Sequence, residues 1–170
     1  MERPMATAAA EEVLVVAIHL EESLEVCYEI LANLVGPHDD AASHFFAHFA
    51  NEEDEHYRVF SQMLHELRQR DASRGHPLSD EAVERIRKLI ADVVTPSADA
   101  IEQMLASPRV TLEQALDLAL ATERDTIGFY QGMLAVFTEP GDVEVVQRIL
   151  VEEQKHEQDL LARRASMLAP

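Results

Sequence analysis

Residues 46–64 read FAHFANEEDEHYRVFSQML, Phe46 to Leu64. Wound as a helix, the stretch places positions 46, 49, 53, 56, 60, 63 and 67 on one face. Five of these are apolar: Phe46, Phe49, Phe60, Met63 and Leu67. The other two, in mid-face, are Glu53 and His56. A carboxylate and an imidazole on the stripe that packs into a core need a reason, because an unpaired buried charge is expensive. Glu-x-x-His at i, i+3 sets both groups one turn apart, where they converge on a single ion.

A lone pair of this kind arises by chance in acidic helices. Here it recurs. Outward from the opening stretch, a helix over about residues 11–35 carries the face Leu14, Ala17, Ile18, Leu24, Tyr28, Leu31 and Val35, with Glu21 in its middle. Gly36-Pro37 stops it, and the second helix then spans about residues 41–70. A third helix, about 111–138, starts on a Thr111/Gln114 capping box. Its stripe is Leu112, Ala115, Leu116, Ala119, Ile127, Tyr130, Leu134 and Phe137, interrupted by Glu123. A fourth, about 142–168, is capped by Asp142 and interrupted by Glu153 and His156 in VEEQKHEQDL. Residues 1–9 have no periodic pattern and read as a frayed lead.

Between the second and third helices lies a long connection, about residues 71–110. It holds two short amphipathic patterns, one after Ser79 (Val83, Ile86, Leu89, Ile90) and one after Thr95-Pro96 (Ala100, Ile101, Met104, Leu105). It reads as a crossover inside one domain spanning residues 1–170.

The two halves repeat. Glu21 precedes Tyr28 by seven residues, as Glu123 precedes Tyr130, and Glu53-x-x-His56 matches Glu153-x-x-His156. Two helix pairs joined by one long crossover give an all-α, antiparallel four-helix bundle of ferritin-like connectivity.

Composition narrows the function. The chain has 170 residues, 32 acidic against 14 basic, for a net charge of −18. That argues against nucleic acid and anionic membrane as partners. No run approaches a membrane span, and the N-terminus lacks the apolar centre of a signal peptide, so a cytoplasmic protein is expected. The one cysteine, Cys27, excludes an internal disulfide and a cysteine-ligated iron or zinc knuckle; it reads as a small buried hydrophobe.

The polar residues at core positions are Glu21, Glu53, His56, Glu123, Glu153 and His156. One Glu from each of two helices, plus Glu-x-x-His from each of the other two, is the ligand pattern of di-iron carboxylate bundles. Two divalent cations balance four carboxylates, and two neutral imidazoles complete a set that suits iron or manganese, with zinc possible. Glu53 and Glu153 then bridge, His56 and His156 each cap one metal, and Glu21 and Glu123 are terminal. Tyr28 and Tyr130, two turns along the same faces, are candidate catalytic groups that hydrogen-bond to a ligand or donate an electron. His19, His44, His48 and His65 read as surface or satisfied residues. His44 and His48 form an i, i+4 pair with no acidic partner at helical spacing to suggest a second site.

AIHLEESLEVCY around Glu21, ATERDTIGFY around Glu123, NEEDEHYRVF and VEEQKHEQDL resemble the four helices of the rubrerythrin family within the ferritin-like superfamily. The resemblance implies a non-haem di-iron protein that oxidises ferrous iron, or reduces dioxygen or hydrogen peroxide. Two departures stand out. The cysteine-rich rubredoxin domain of rubrerythrins proper is missing from these residues, so an external electron donor is implied for any peroxidase activity. Thr126 occupies the position of a further glutamate that rubrerythrins carry one turn after Glu123, which makes a simple ferroxidase the better fit. The alternatives are an iron-storing protein and a bundle with a structural manganese or zinc pair. A homodimer or larger homo-oligomer is expected.

Overall fold

The computed structural model describes residues 3–71, 84, 101–107, 109–134, 137 and 140–167, without the side chains of residues 3–9, 71 and 167. Four long helices carry the chain: α1, Arg3–Val35; α2, Asp40–Asp71; α3, Leu112–Met133; and α4, Pro140–Met167. Among the described residues there is no strand. This is the all-α bundle that the periodicity predicts.

The boundaries follow local chemistry. α1 starts at Arg3 rather than near Glu11, so the expected frayed lead is helical from residue 3 onward. The run MATAAAEE is dominated by strong helix formers, and propensity carries where no apolar stripe is visible. A tight turn closes α1, with the Gly36 amide on the Ala32 carbonyl and the Asp39 amide on the Val35 carbonyl. Asp39 then caps α2: its Oδ1 accepts from the Ala42 amide at 2.9 Å. Such a short link forces α1 and α2 to lie antiparallel.

Thr111 forms the expected capping box, accepting from the Gln114 amide at 3.2 Å while Gln114 Oε1 accepts from the Thr111 amide at 2.9 Å. α3 ends at Met133, short of the expected 138; residues 135, 136, 138 and 139 lie outside the described residues. α4 begins at Pro140, so Asp142 is not its cap. Proline suits the first helical position, having no amide to orphan. Asp142 sits instead in the first turn, where the helix dipole favours a carboxylate, and accepts from Arg70 at 3.2 Å. Of the expected crossover, residues 101–105 are helical, and Ile101 and Met104 pack on the core; the pattern after Ser79 and the Thr95-Pro96 start lie outside the described residues.

α1 packs along α2 and α3 along α4; narrower contacts join α1 to α3 and α2 to α4. The apolar interior divides into two clusters. One gathers Tyr28, Leu31, Phe46, Phe49, Leu116 and Leu160, among others. The second gathers Leu14, Leu24, Phe60, Tyr130, Met133 and Ile149. Every buried side chain of this size contributes about 1.5–3 kcal/mol over an exposed one. Along α2, α3 and α4 the change from one cluster to the other falls where the sequence turns polar; along α1 it falls between Leu24 and Cys27, just after Glu21.

Candidate metal centre

On α1, Glu21 lies between Leu14 and Leu24, both of one cluster, and the other cluster begins just beyond, at Cys27 and Tyr28. On α2, Glu53 and His56 lie between Phe49 and Phe60. On α3, Glu123 lies between Ala119 and Tyr130, and on α4, Glu153 and His156 lie between Ile149 and Leu160. All six polar side chains are buried; the four glutamates are 0% exposed. The structure thus brings together all six metal-ligand candidates, Glu21, Glu53, His56, Glu123, Glu153 and His156, in one polar layer flanked by the two apolar clusters.

Within that layer the side chains form two overlapping groups. Glu21, Glu53, His56 and Glu153 each offer a ligand atom within 4.8 Å of the others, and so do Glu53, Glu123, Glu153 and His156. Glu53 and Glu153 belong to both groups. Each histidine turns Nδ1 inward. Nδ1 of His56 is 3.1 Å from Glu53 Oε2, 2.9 Å from Glu153 Oε1 and 3.5 Å from Glu21 Oε2. Nδ1 of His156 is 3.3 Å from both Glu53 Oε1 and Glu153 Oε2. Several of these approaches are close without the alignment of a hydrogen bond. Both oxygens of Glu21 and of Glu153, one each of Glu53 and Glu123, and His156 Nδ1 have no hydrogen-bond partner. Buried polar atoms are seldom left this way without a ligand.

Four carboxylates packed into one buried layer dominate its electrostatics. Burial, reinforced by the charges of Glu53 and Glu153 and only partly offset by His56, pushes Glu21 well above the usual carboxylate range. Burial and the same two charges raise Glu123, against the pull of His156 and Tyr28. Glu53 goes the other way: burial would raise it, but the two imidazoles outweigh burial and hold it down to about 2. Burial opposes charge on the histidines as well. Even so, Glu153, Glu21 and Glu53 drive His56 far above its usual range, and Glu153 and Glu53 push His156 up to about 11. The raised proton affinity of Glu21, Glu123, His56 and His156, side by side, is what divalent cations in their midst would relieve.

The outer nitrogen of each histidine crosses to the opposite helix. His56 Nε2 meets Glu152 Oε2 at 2.9 Å, and His156 Nε2 meets Glu52 Oε2 at 3.0 Å. A proton held on Nε2 by this contact leaves the Nδ1 lone pair free to face the layer. Glu52 and Glu152 were not among the candidates read from the sequence. The signal was present, in the Glu-Glu doublet that opens both Glu-Glu-x-x-His segments.

The tyrosines differ. Tyr28 donates to Glu123, across from α1 to α3 rather than to Glu21 on its own helix. Two turns of helix separate residues seven apart by roughly 10 Å, whereas the facing helix offers a carboxylate at the same level. Tyr130 is equally buried, but its hydroxyl has no hydrogen-bond partner, so it does not reach a ligand carboxylate as expected. It packs against Phe60 and Phe129. Thr126 is buried and donates to the Thr122 carbonyl at 3.0 Å. Cys27 is buried as expected, its thiol pushed up to about 12 by burial and the charges of Glu123 and Glu53. His19, His44, His48 and His65 are exposed. His44 and His48 do have acidic neighbours at helical spacing, contrary to the sequence reading: Asp40 at 3.6 Å and Glu52 at 3.4 Å.

Among the described residues no helix is long and apolar enough to cross a membrane. A family model described as Rubrerythrin matches residues 12–163. Comparison with curated proteins and with solved structures finds no match.

Proposed function

The chain belongs to the rubrerythrin family, and on that footing we propose that it is a non-haem di-iron carboxylate protein that oxidises ferrous iron, with dioxygen or hydrogen peroxide as the electron acceptor. The observation that carries this reading is the double membership of Glu53 and Glu153 in two buried ligand groups. Glu53 and Glu153 would be shared between two metals, with Glu21 and His56 completing one position and Glu123 and His156 the other. Four carboxylates against two divalent cations is an electroneutral set, which a buried layer requires. Two ferrous ions held there would supply one electron each; with two protons the pair reduces hydrogen peroxide to two waters, or dioxygen to hydrogen peroxide.

The protein's own part is to bind, orient and exclude. The apolar clusters on either side keep bulk water from the layer. Glu52 and Glu152 fix the imidazole orientation through Nε2. Tyr28 steadies Glu123 and, by donating a hydrogen bond, keeps that carboxyl from rising further. Thr126 spends its hydroxyl on the backbone, so α3 contributes Glu123 to the layer and no second carboxylate there. That favours iron oxidation over a peroxidase cycle that depends on a mobile extra ligand. Peroxide turnover with other reductants would need an electron donor from outside these residues. A cytoplasmic location and a homodimeric or larger assembly fit this work.

Anaerobic ferrous titration followed by exposure to air or peroxide tests the proposal. Saturation at two irons per chain is expected, with a near-ultraviolet ferric band that develops on oxidation. Binding of many irons per chain would favour storage. Two tightly held metals with no response to oxidant would favour a structural manganese or zinc pair.

Tyr28→Phe is expected to retain both metals while weakening the Glu123 position about 10- to 100-fold, the usual cost of removing a partner behind a ligand. Isothermal titration with cobalt would resolve the two positions. Equal weakening of both would mean that Tyr28 acts through the fold and not through Glu123.

A further inference from the structure

The six buried side chains must be reached by an ion that starts in water. The two sides of the layer differ in what an ion would meet. Between α1 and α3 the layer is crossed by Tyr28, 0% exposed, on Glu123. Between α2 and α4 it is crossed by the reciprocal pairs His56–Glu152 and His156–Glu52. These carboxylates reach the surface: the Glu52 side chain is 30% exposed and that of Glu152 is 48% exposed. His48, one turn before Glu52 on α2 and 64% exposed, stands 3.4 Å from the same Glu52 oxygen that meets His156. The helices are also less tightly joined here than within either antiparallel pair.

Polar groups therefore form a graded series from solvent to core: His48, then Glu52 and Glu152, then the buried histidines and the unpartnered oxygens of Glu53 and Glu153. Resting on the dinuclear reading above, we infer that the α2–α4 seam is the entry route for divalent metal, with Glu52 and Glu152 as hand-over ligands and His48 as the outermost. A carboxylate on a short stem that already holds a metal-ligating imidazole can take an ion from water and pass it inward over one side-chain length. The local negative charge also concentrates cations at the seam and raises their arrival rate. The series is lopsided. Position 148, the counterpart of His48 in the second half, is Arg148, which repels a cation. Entry is therefore expected on the Glu52 side first.

The test is the rate at which chelator-stripped protein takes up cobalt(II), followed by its visible absorbance in a stopped-flow instrument at low ionic strength. Glu52→Gln/Glu152→Gln keeps an amide oxygen for each Nε2–H and removes the charge. It is expected to load about tenfold more slowly or worse with unchanged helix content. His48→Gln, which touches no ligand of the buried layer, is expected to slow loading by a smaller factor and still to reach two metals per chain. Glu22→Gln/Glu29→Gln removes the same charge from exposed positions on α1 and is expected to load like the wild type. Wild-type loading rates in the seam variant, or equal slowing in the α1 control, would overturn the route. Wild-type protein that binds no cobalt at all would overturn the dinuclear reading itself, and would do so before any variant is compared.

Discussion

Replacing Glu53 and Glu153 together by alanine is expected to abolish stoichiometric metal binding and leave the bundle folded. Both carboxylates are members of both ligand groups. The double substitution therefore takes two ligands from each metal position at once, leaving Glu21 with His56 and Glu123 with His156. Loss of even a partner behind a ligand costs 10–100-fold in affinity, so losing both bridges should cost on the order of 10³ or more for each metal. The helices should persist, because the apolar clusters that hold them lie on either side of the polar layer and are untouched. Metal content after gel filtration, read beside far-ultraviolet circular dichroism, checks both halves. Glu21→Ala makes the contrast: it removes one ligand from one position, and the Glu123/His156 position should still load. Unchanged metal content in the double variant would sink the assignment of the bridges. Equal loss from Glu21→Ala would mean that the two positions are not separable.

The bundle and its polar layer were legible in the sequence for one physical reason. A charged residue on an apolar helical stripe is costly, so Glu21, Glu53, Glu123 and Glu153 stand out against the stripes they interrupt, and the repeat between the halves fixes the helical phase. The capping box at Thr111 was legible because its chemistry is local. What escaped depends on the facing helix. Glu52 and Glu152 lie beside the ligands and face the seam, and nothing in one helix says that a histidine from another will reach them. Tyr28 meets a ligand carboxylate as expected, but which one is decided by depth in the bundle and not by sequence separation: Glu123 of the facing helix, not Glu21 of its own. The expected partnerless state of His48 failed more simply, since Glu52 stands at i+4. Helix ends escaped where the signal was propensity alone, as at Arg3, or where two chemistries competed for one start, as with Pro140 and Asp142.

Bound metal is expected to stabilise the protein, and by a margin that widens as pH rises. In the metal-free protein Glu21 and Glu123 have raised affinities for their protons. Such a carboxyl supports the fold fully below its unfolded value, 4.5, and loses that support as pH climbs toward the raised folded value. His56 and His156 are raised as well. Their contribution is complete below 6.5 and is lost as pH rises, through about 11 for His156. Glu53, held down to about 2, supports the fold above 4.5 and gives way only as pH falls toward 2, so it does not change in alkali. Every one of these groups that titrates between pH 7 and 10 therefore weakens the metal-free bundle. Metal reverses this, since it replaces one proton on each of His56, His156, Glu21 and Glu123, and its affinity grows as those protons become easier to remove. At a free metal concentration of 100 times Kd, each site adds about 2.7 kcal/mol. Two sites, at about 2–4 °C per kcal/mol for a chain of this size, should raise Tm by about 10–20 °C. Calorimetric melting of chelator-stripped and manganese-loaded protein at pH 6, 7.5 and 9 would measure the gap directly. Proton release on binding, read by titration in buffers of different ionisation heat, should accompany it. A gap that stays constant or narrows over that range would mean that the metal does not displace these four protons, and that the buried layer is not where it binds.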